Sequence, residues 1–79
     1  MNTYRHSFTA RCPANERAIS YRLTIAAART IMVEEITAAC AELQRGFHEA
    51  FADTLYARFG GEQKLTAHHH GVDVETTRP

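Results

Sequence analysis

Polar and apolar residues alternate at the start of this chain. Tyr4, His6, Phe8, Ala10 and Cys12 fall on one face, and Arg5, Ser7, Thr9 and Arg11 fall on the other. A two-residue period is that of a strand with one buried face. Pro13-Ala14-Asn15-Glu16 follows as a turn, because proline fixes φ and asparagine tolerates unusual backbone. Ile19, Tyr21, Leu23 and Ile25 then alternate with Ser20, Arg22 and Thr24. Two such runs around one short turn predict an antiparallel hairpin, dry on one side and wet on the other.

The period changes after Thr30, which the pattern marks as a helix N-cap. Val33, Ile36, Cys40, Leu43, Phe47, Phe51, Leu55 and Phe59 recur at steps of three and four. Glu34 and Glu35 sit where a helix N-terminus favours anions, and Gly60-Gly61 supplies a C-terminal stop. One uninterrupted helix would be long for so short a chain, and Gly46 marks the alternative, a break into two helices. Leu65, Ala67 and His69 alternate again, and the parity slips before Val72 and Val74. A β-bulge at Gly71 explains the slip, and a tight turn making a second small hairpin is the alternative. The last residues, Thr76 to Pro79, are expected to fray. The pattern therefore predicts an α+β fold. It is an antiparallel sheet, made of an N-terminal hairpin plus a C-terminal strand or hairpin, covered on one face by one long helix or two.

Length bears on assembly. The 79 residues are read as a single domain, 1–79. A chain of this size buries only about 60% of its unfolded surface, so its core is marginal alone. Two cysteines make no disulfide framework, so oligomerisation is the expected remedy. An open sheet with two unpaired edges points the same way, toward a homo-oligomer. Met1 to His6 is polar, unlike a signal peptide, and no apolar run reaches the ~20 residues of a membrane span. A cytoplasmic protein with reduced thiols, not engaged with a membrane, is expected. The formal net charge is zero, with nine basic and nine acidic residues, and tryptophan is absent. Neither a basic footprint nor a base-stacking platform is present, so nucleic acid is not an expected partner.

Three groups are candidates for chemistry. Cys12 stands at a strand end beside a turn, the exposed kind of place a nucleophilic thiol needs. The plainer reading is a small semi-buried residue, and Cys40 on the helical stripe is read as packing. In His68-His69-His70, alternation sends His68 and His70 to one side and His69 to the other. Imidazoles at i and i+2 can share a metal; zinc needs a further ligand, which His6 or His48 would supply. The plain alternative is a polar strand end, or an interface that titrates near neutrality. In Phe47-His48-Glu49, the carboxylate lies about 200° around a helix from Phe47 and Phe51, which makes it a solvated residue.

Phe8-Thr9-Ala10-Arg11-Cys12-Pro13, then Val33-Glu34, then Phe47-His48-Glu49, then Gly71-Val72-Asp73-Val74 occur in that order. In this order the motifs resemble the tunnelling-fold (T-fold) superfamily, and within it the NADPH-dependent 7-cyano-7-deazaguanine reductases, the nitrile reductases of queuosine synthesis. The resemblance spans nearly the whole chain. It implies that Cys12 matches the cysteine that adds to the nitrile, that Glu49 matches the carboxylate anchoring the purine-like ring, and that His48 lies in the same pocket. It also implies pockets between subunits whose sheets join edge to edge. The sequence departs from the family at three places, one being a shorter segment from Glu34 to Glu49. The acid expected seven residues after the cysteine is Ile19, with Glu16 the nearest carboxylate, and no lysines follow Glu35 for NADPH. The expectation is thus a divergent relative that binds a planar purine- or pterin-like heterocycle at a subunit interface, with reductase activity and NADPH impaired or lost. The alternatives are a non-enzymatic small oligomeric interaction protein, and a zinc-binding protein using His68 and His70.

Overall fold

A computed structural model describes all of residues 1–79. The chain runs β1 (Asn2–Arg11), β2 (Ala18–Ala27), α1 (Val33–Glu42), α2 (His48–Phe59), β3 (Glu62–His69) and β4 (Val72–Arg78). The four strands form one antiparallel sheet in the order β1-β2-β3-β4. This is the α+β architecture the pattern predicts, with two helices on one face and a C-terminal hairpin.

The alternation explains the sheet. Phe8 pairs with Tyr21, Tyr21 with Ala67, and Ala67 with Val74, so all four share the helix-covered face. Leu23, Ile25 and Leu65 lie on that face, fully buried with Leu55 and Phe51 of α2 and Ile36 and Cys40 of α1. The other face carries Ser7, Ser20, Arg22, Thr66, His68 and Glu75, and no helix covers it. No helix is long and apolar enough to cross a membrane.

The break spans residues 43–47 and includes Gly46, where packing requires glycine. A Cβ there would stand 2.5 Å from Cε1 of Phe51, inside the core. The break also re-phases the apolar stripe. Val33 and Phe47 were assigned to it, yet they are 60% and 61% exposed. Val33 opens α1 on its outer side, and Phe47 is the extended N-cap of α2. The linker between the helices docks on the end of β1. Arg11 N–H donates to the Gln44 carbonyl at 2.8 Å, and Gly46 N–H donates to the Arg11 carbonyl at 3.2 Å.

Three further expectations are corrected. Thr30 is not the N-cap of α1; the helix starts at Val33 after Met32, with no side-chain cap. The reason is tertiary: Ile31 is buried, and its N–H donates to the Tyr4 hydroxyl at 3.0 Å, holding the chain extended past Thr30. Gly71 is not a bulge. His69 pairs with Val72, leaving His70-Gly71 as a two-residue turn with φ of 49° and 81°. Positive φ at both central residues is the hairpin turn that matches strand twist. An even-numbered loop shifts the parity as a bulge would. The C-terminus does not fray at Thr76: Arg78 ends β4 opposite Gln63, and its guanidinium holds Asp53 of α2 at 2.9 Å.

Candidate functional site

The resemblance assigned Cys12, His48 and Glu49 to one pocket, and the fold brings them to one end of the molecule. β1 delivers Cys12 to the point where Arg11 is bonded to Gln44 and Gly46, just before α2 begins. His48 is the first residue of α2 and is buried; Glu49 is the next and is exposed. Cys12 closes the β1–β2 loop through its main chain. Its N–H donates to the Arg17 carbonyl at 2.9 Å, and its carbonyl accepts from Glu16 N–H at 2.7 Å. Its side chain is only 7% exposed, so strand-end position has not made the thiol open. Glu16, the nearest acid, pairs outward with Arg45 at 2.8 Å. Ile19 is buried in the core. The second thiol, Cys40, is packed between helix and sheet, and burial pushes its pKa up to about 11. A thiol so placed is inert.

Tyr21 occupies the centre of this end and was not singled out from sequence. Its ring stacks on Phe8 at 5.1 Å, meets Phe51 edge-on at 5.3 Å, and touches the rings of His48 and His69 at 5.5 and 5.7 Å. The residue is 2% exposed, and its hydroxyl has no hydrogen-bond partner. Burial, and then the charge of Cys12, push its pKa above the ordinary tyrosine range. A buried unpartnered hydroxyl costs about 1–3 kcal/mol, so it is uncommon in a finished core.

The two histidines beside it form a chain of contacts. His48 Nε2 lies 3.0 Å from the Leu65 carbonyl, which only accepts, so that nitrogen carries the hydrogen. His48 Nδ1 faces His69 Nε2 at 3.3 Å. His69 is half-buried; desolvation first, then the neighbouring His48, His70 and His68, lower its pKa, so it is neutral at pH 7.

The triple-histidine segment is therefore divided three ways. His69 joins His48 under the helices. His68 stands on the open face against Asp73 at 2.8 Å. His70 lies in the turn and accepts from the Asn15 side-chain amide at 2.9 Å, tying the two hairpin loops together. His68 and His70 line one hollow of about 320 Å³ with Asn15 and Arg17. No three His, Cys, Asp or Glu side chains are gathered to hold a metal in one chain, so neither His6 nor His48 completes a set with them. Other hollows lie on the open sheet face, about 530 Å³, and between α1 and β1, about 290 Å³. None of them is lined by Cys12, His48 or Glu49.

A solved structure shares this architecture: the crystal structure of the archaeosine synthase QueF-Like in the apo form. It matches with a TM-score of 0.76 at 17% sequence identity, over 98% of this chain and 89% of that one. No protein-family model matches the chain, and no curated protein matches it in sequence. The chain thus has a QueF-like T-fold, as its motif order implies, at a sequence distance where fold alone is shared.

Proposed function

We propose that this chain is a divergent T-fold protein that binds a planar purine- or pterin-like heterocycle at a junction between subunits, without NADPH-dependent reduction. The observation that supports it best is that the end of β1, through Arg11, is bonded to the linker just before α2, which puts Cys12 and the His48-Glu49 pair at the same end of the molecule. Glu49 is exposed in the first turn of α2, free to accept from the ring N–H and amino donors of such a heterocycle. Phe47, beside it and 61% exposed, offers an aromatic face for stacking. A binding pocket at this end needs a second wall, and another copy of the chain is the proposed source. NADPH does not fit the residues present. α1 carries no lysine, and the one lysine, Lys64, stands on the open face of β3 near Glu75 at 3.9 Å.

The test is thermal shift with 7-deazaguanines and pterins, with a nitrile-bearing deazaguanine as covalent probe. Addition of the Cys12 thiol across the nitrile forms an S–C bond and moves the thiol proton to nitrogen. Nothing is oxidised or reduced, and intact mass rises by the whole ligand. Stabilisation by a heterocycle, weakened about tenfold or more in Glu49→Ala, is expected, since a charge-assisted bond is lost. No stabilisation by any of them, with Glu49 remote from every subunit contact, overturns the reading.

A second reading is a self-associating module with no small ligand. It is favoured by the burial of Cys12 and by the absence of the three residues from every hollow of one chain. It expects an oligomer unresponsive to heterocycles and a Cys12→Ser variant with unchanged assembly.

A further inference from the structure

We propose that the hollow between the two hairpin loops binds a phosphate group, free or esterified, that brings one hydrogen with it, through Arg17, His70 and His68. The proposal stands apart from the heterocycle reading. Arg17 comes from the β1–β2 loop, His68 from the end of β3, and His70 from the turn that follows. With Asn15 these residues line one hollow of about 320 Å³. That is many times the ~30 Å³ that one water occupies in the liquid, so an oxyanion and part of its hydration fit.

The hydrogen bonds around the hollow fix what each group can offer. Arg17 N–H donates to Asn15 Oδ1 at 2.9 Å, which settles the direction of that amide. Asn15 Nδ2 then donates to His70 Nε2 at 2.9 Å, so the hydrogen of the neutral His70 ring sits on Nδ1 and has no partner within the chain. The Arg17 guanidinium meets no carboxylate. Glu16, beside it in sequence, is held by Arg45 at 2.8 Å. His68 is set the opposite way. Its Nδ1–H donates to the Asp73 carboxylate at 2.8 Å, so the neutral ring keeps its lone pair on Nε2. Asp73 orients His68 from β4 and does not itself line the hollow. The hollow thus offers a cation, a neutral donor and an acceptor. Phosphate matches all three, because with a second pKa of about 6 it keeps or regains a hydroxyl hydrogen near neutral pH. Sulfate brings no such hydrogen, and a carboxylate, with a pKa of about 4, has lost its own.

The ¹⁵N shifts of the full chain, followed near neutral pH while sodium phosphate replaces sodium chloride at constant ionic strength, test this. Saturable shifts at residues 15–18 and 68–71 are expected, with sulfate about tenfold weaker because it has no hydrogen for His68 Nε2. Arg17→Ala keeps the main-chain bonds of its loop and should weaken phosphate about tenfold or more, the loss of a bond to a charged group. Should that variant not fold, Arg17→Gln serves in its place. His68→Ala should bring phosphate down to the affinity of sulfate. Arg22→Ala, on the open sheet face outside the hollow, should change nothing. Glycerol phosphate run beside inorganic phosphate separates the sources: tighter binding of the ester marks a phosphoryl substituent, and tighter binding of the free ion marks phosphate itself. Shifts that do not saturate overturn the proposal, since they report only screening of a basic surface. So does sulfate binding as tightly as phosphate, which removes the acceptor role of His68.

Discussion

The two ends of the sheet treat the same kinds of residue differently. At the end where β1 begins, Tyr4 has two hydrogen-bond partners, Asn2 at 3.1 Å and the Ile31 N–H at 3.0 Å. Gln63 donates to the Leu55 and Gly60 carbonyls at 3.0 and 2.8 Å, and Arg29 donates to the Phe59 carbonyl at 2.8 Å. These bonds tie the entry of α1 and the exit of α2 to the strands. At the other end, Tyr21 has a hydroxyl with no partner, and His48 and His69 meet at 3.3 Å. One end has spent its polar groups on holding the chain. The other bonds its two histidines to each other and to the Leu65 carbonyl, and leaves one buried group, the Tyr21 hydroxyl, without a partner under an aromatic cluster. A buried hydroxyl without a partner in a small core is a place where a ligand has something to bind.

The largest test of this difference is Gln63→Leu. The substitution leaves the Leu55 and Gly60 carbonyls without their donor in a buried place. A loss of about 1–3 kcal/mol is expected, from denaturant unfolding at fixed protein concentration. An unchanged midpoint would mean that the end is held by packing alone.

The strands were legible because one buried face imposes a two-residue period whatever lies elsewhere. The alternation of Tyr4 to Cys12 and Ile19 to Ile25 predicts β1 and β2 to within a residue or two. What was not legible depends on partners distant in sequence. Thr30 looks like a cap, but Tyr4, 27 positions away from Ile31, decides where α1 begins. Parity alone does not separate a bulge from a two-residue turn, and His70 at positive φ carries no residue-type signal of its own. Cys12, His48 and Glu49 were assigned to one pocket by motif order. Tyr21 and the His48–His69 contact were missed, because they arise from the diagonal between β2 and β3 and from where α2 lands. Parity did place His69 apart from His68 and His70, and pairing it with the helix-facing His48 was the available step.

The two tyrosines give a matched pair with a smaller effect. Tyr4→Phe removes the acceptor of the Ile31 N–H, so a loss of about 1 kcal/mol is expected. Tyr21→Phe removes a hydroxyl that bonds nothing, so stability should hold or rise. If Tyr21→Phe destabilises the chain as much as Tyr4→Phe, the two ends do not differ as described.

The smallest expected effect is a pH slope that belongs to one end only. Burial and the neighbouring His48, His70 and His68 lower the pKa of His69 in the folded chain, below its unfolded value near 6.5. As pH falls through that unfolded value, the unfolded chain takes up the proton first, so folding is disfavoured. The contribution of His69 is therefore whole above about 6.5 and declines through the window below it. It levels off once the folded chain is protonated too. Carboxylates also titrate as the medium becomes more acidic, so the natural chain alone does not isolate the effect. Its difference from His69→Gln does, measured by denaturant unfolding between neutral and mildly acid pH with a metal chelator present. The natural chain should lose stability faster than the variant across that window. Parallel profiles would show that the histidine end is as well solvated as the open face of the sheet.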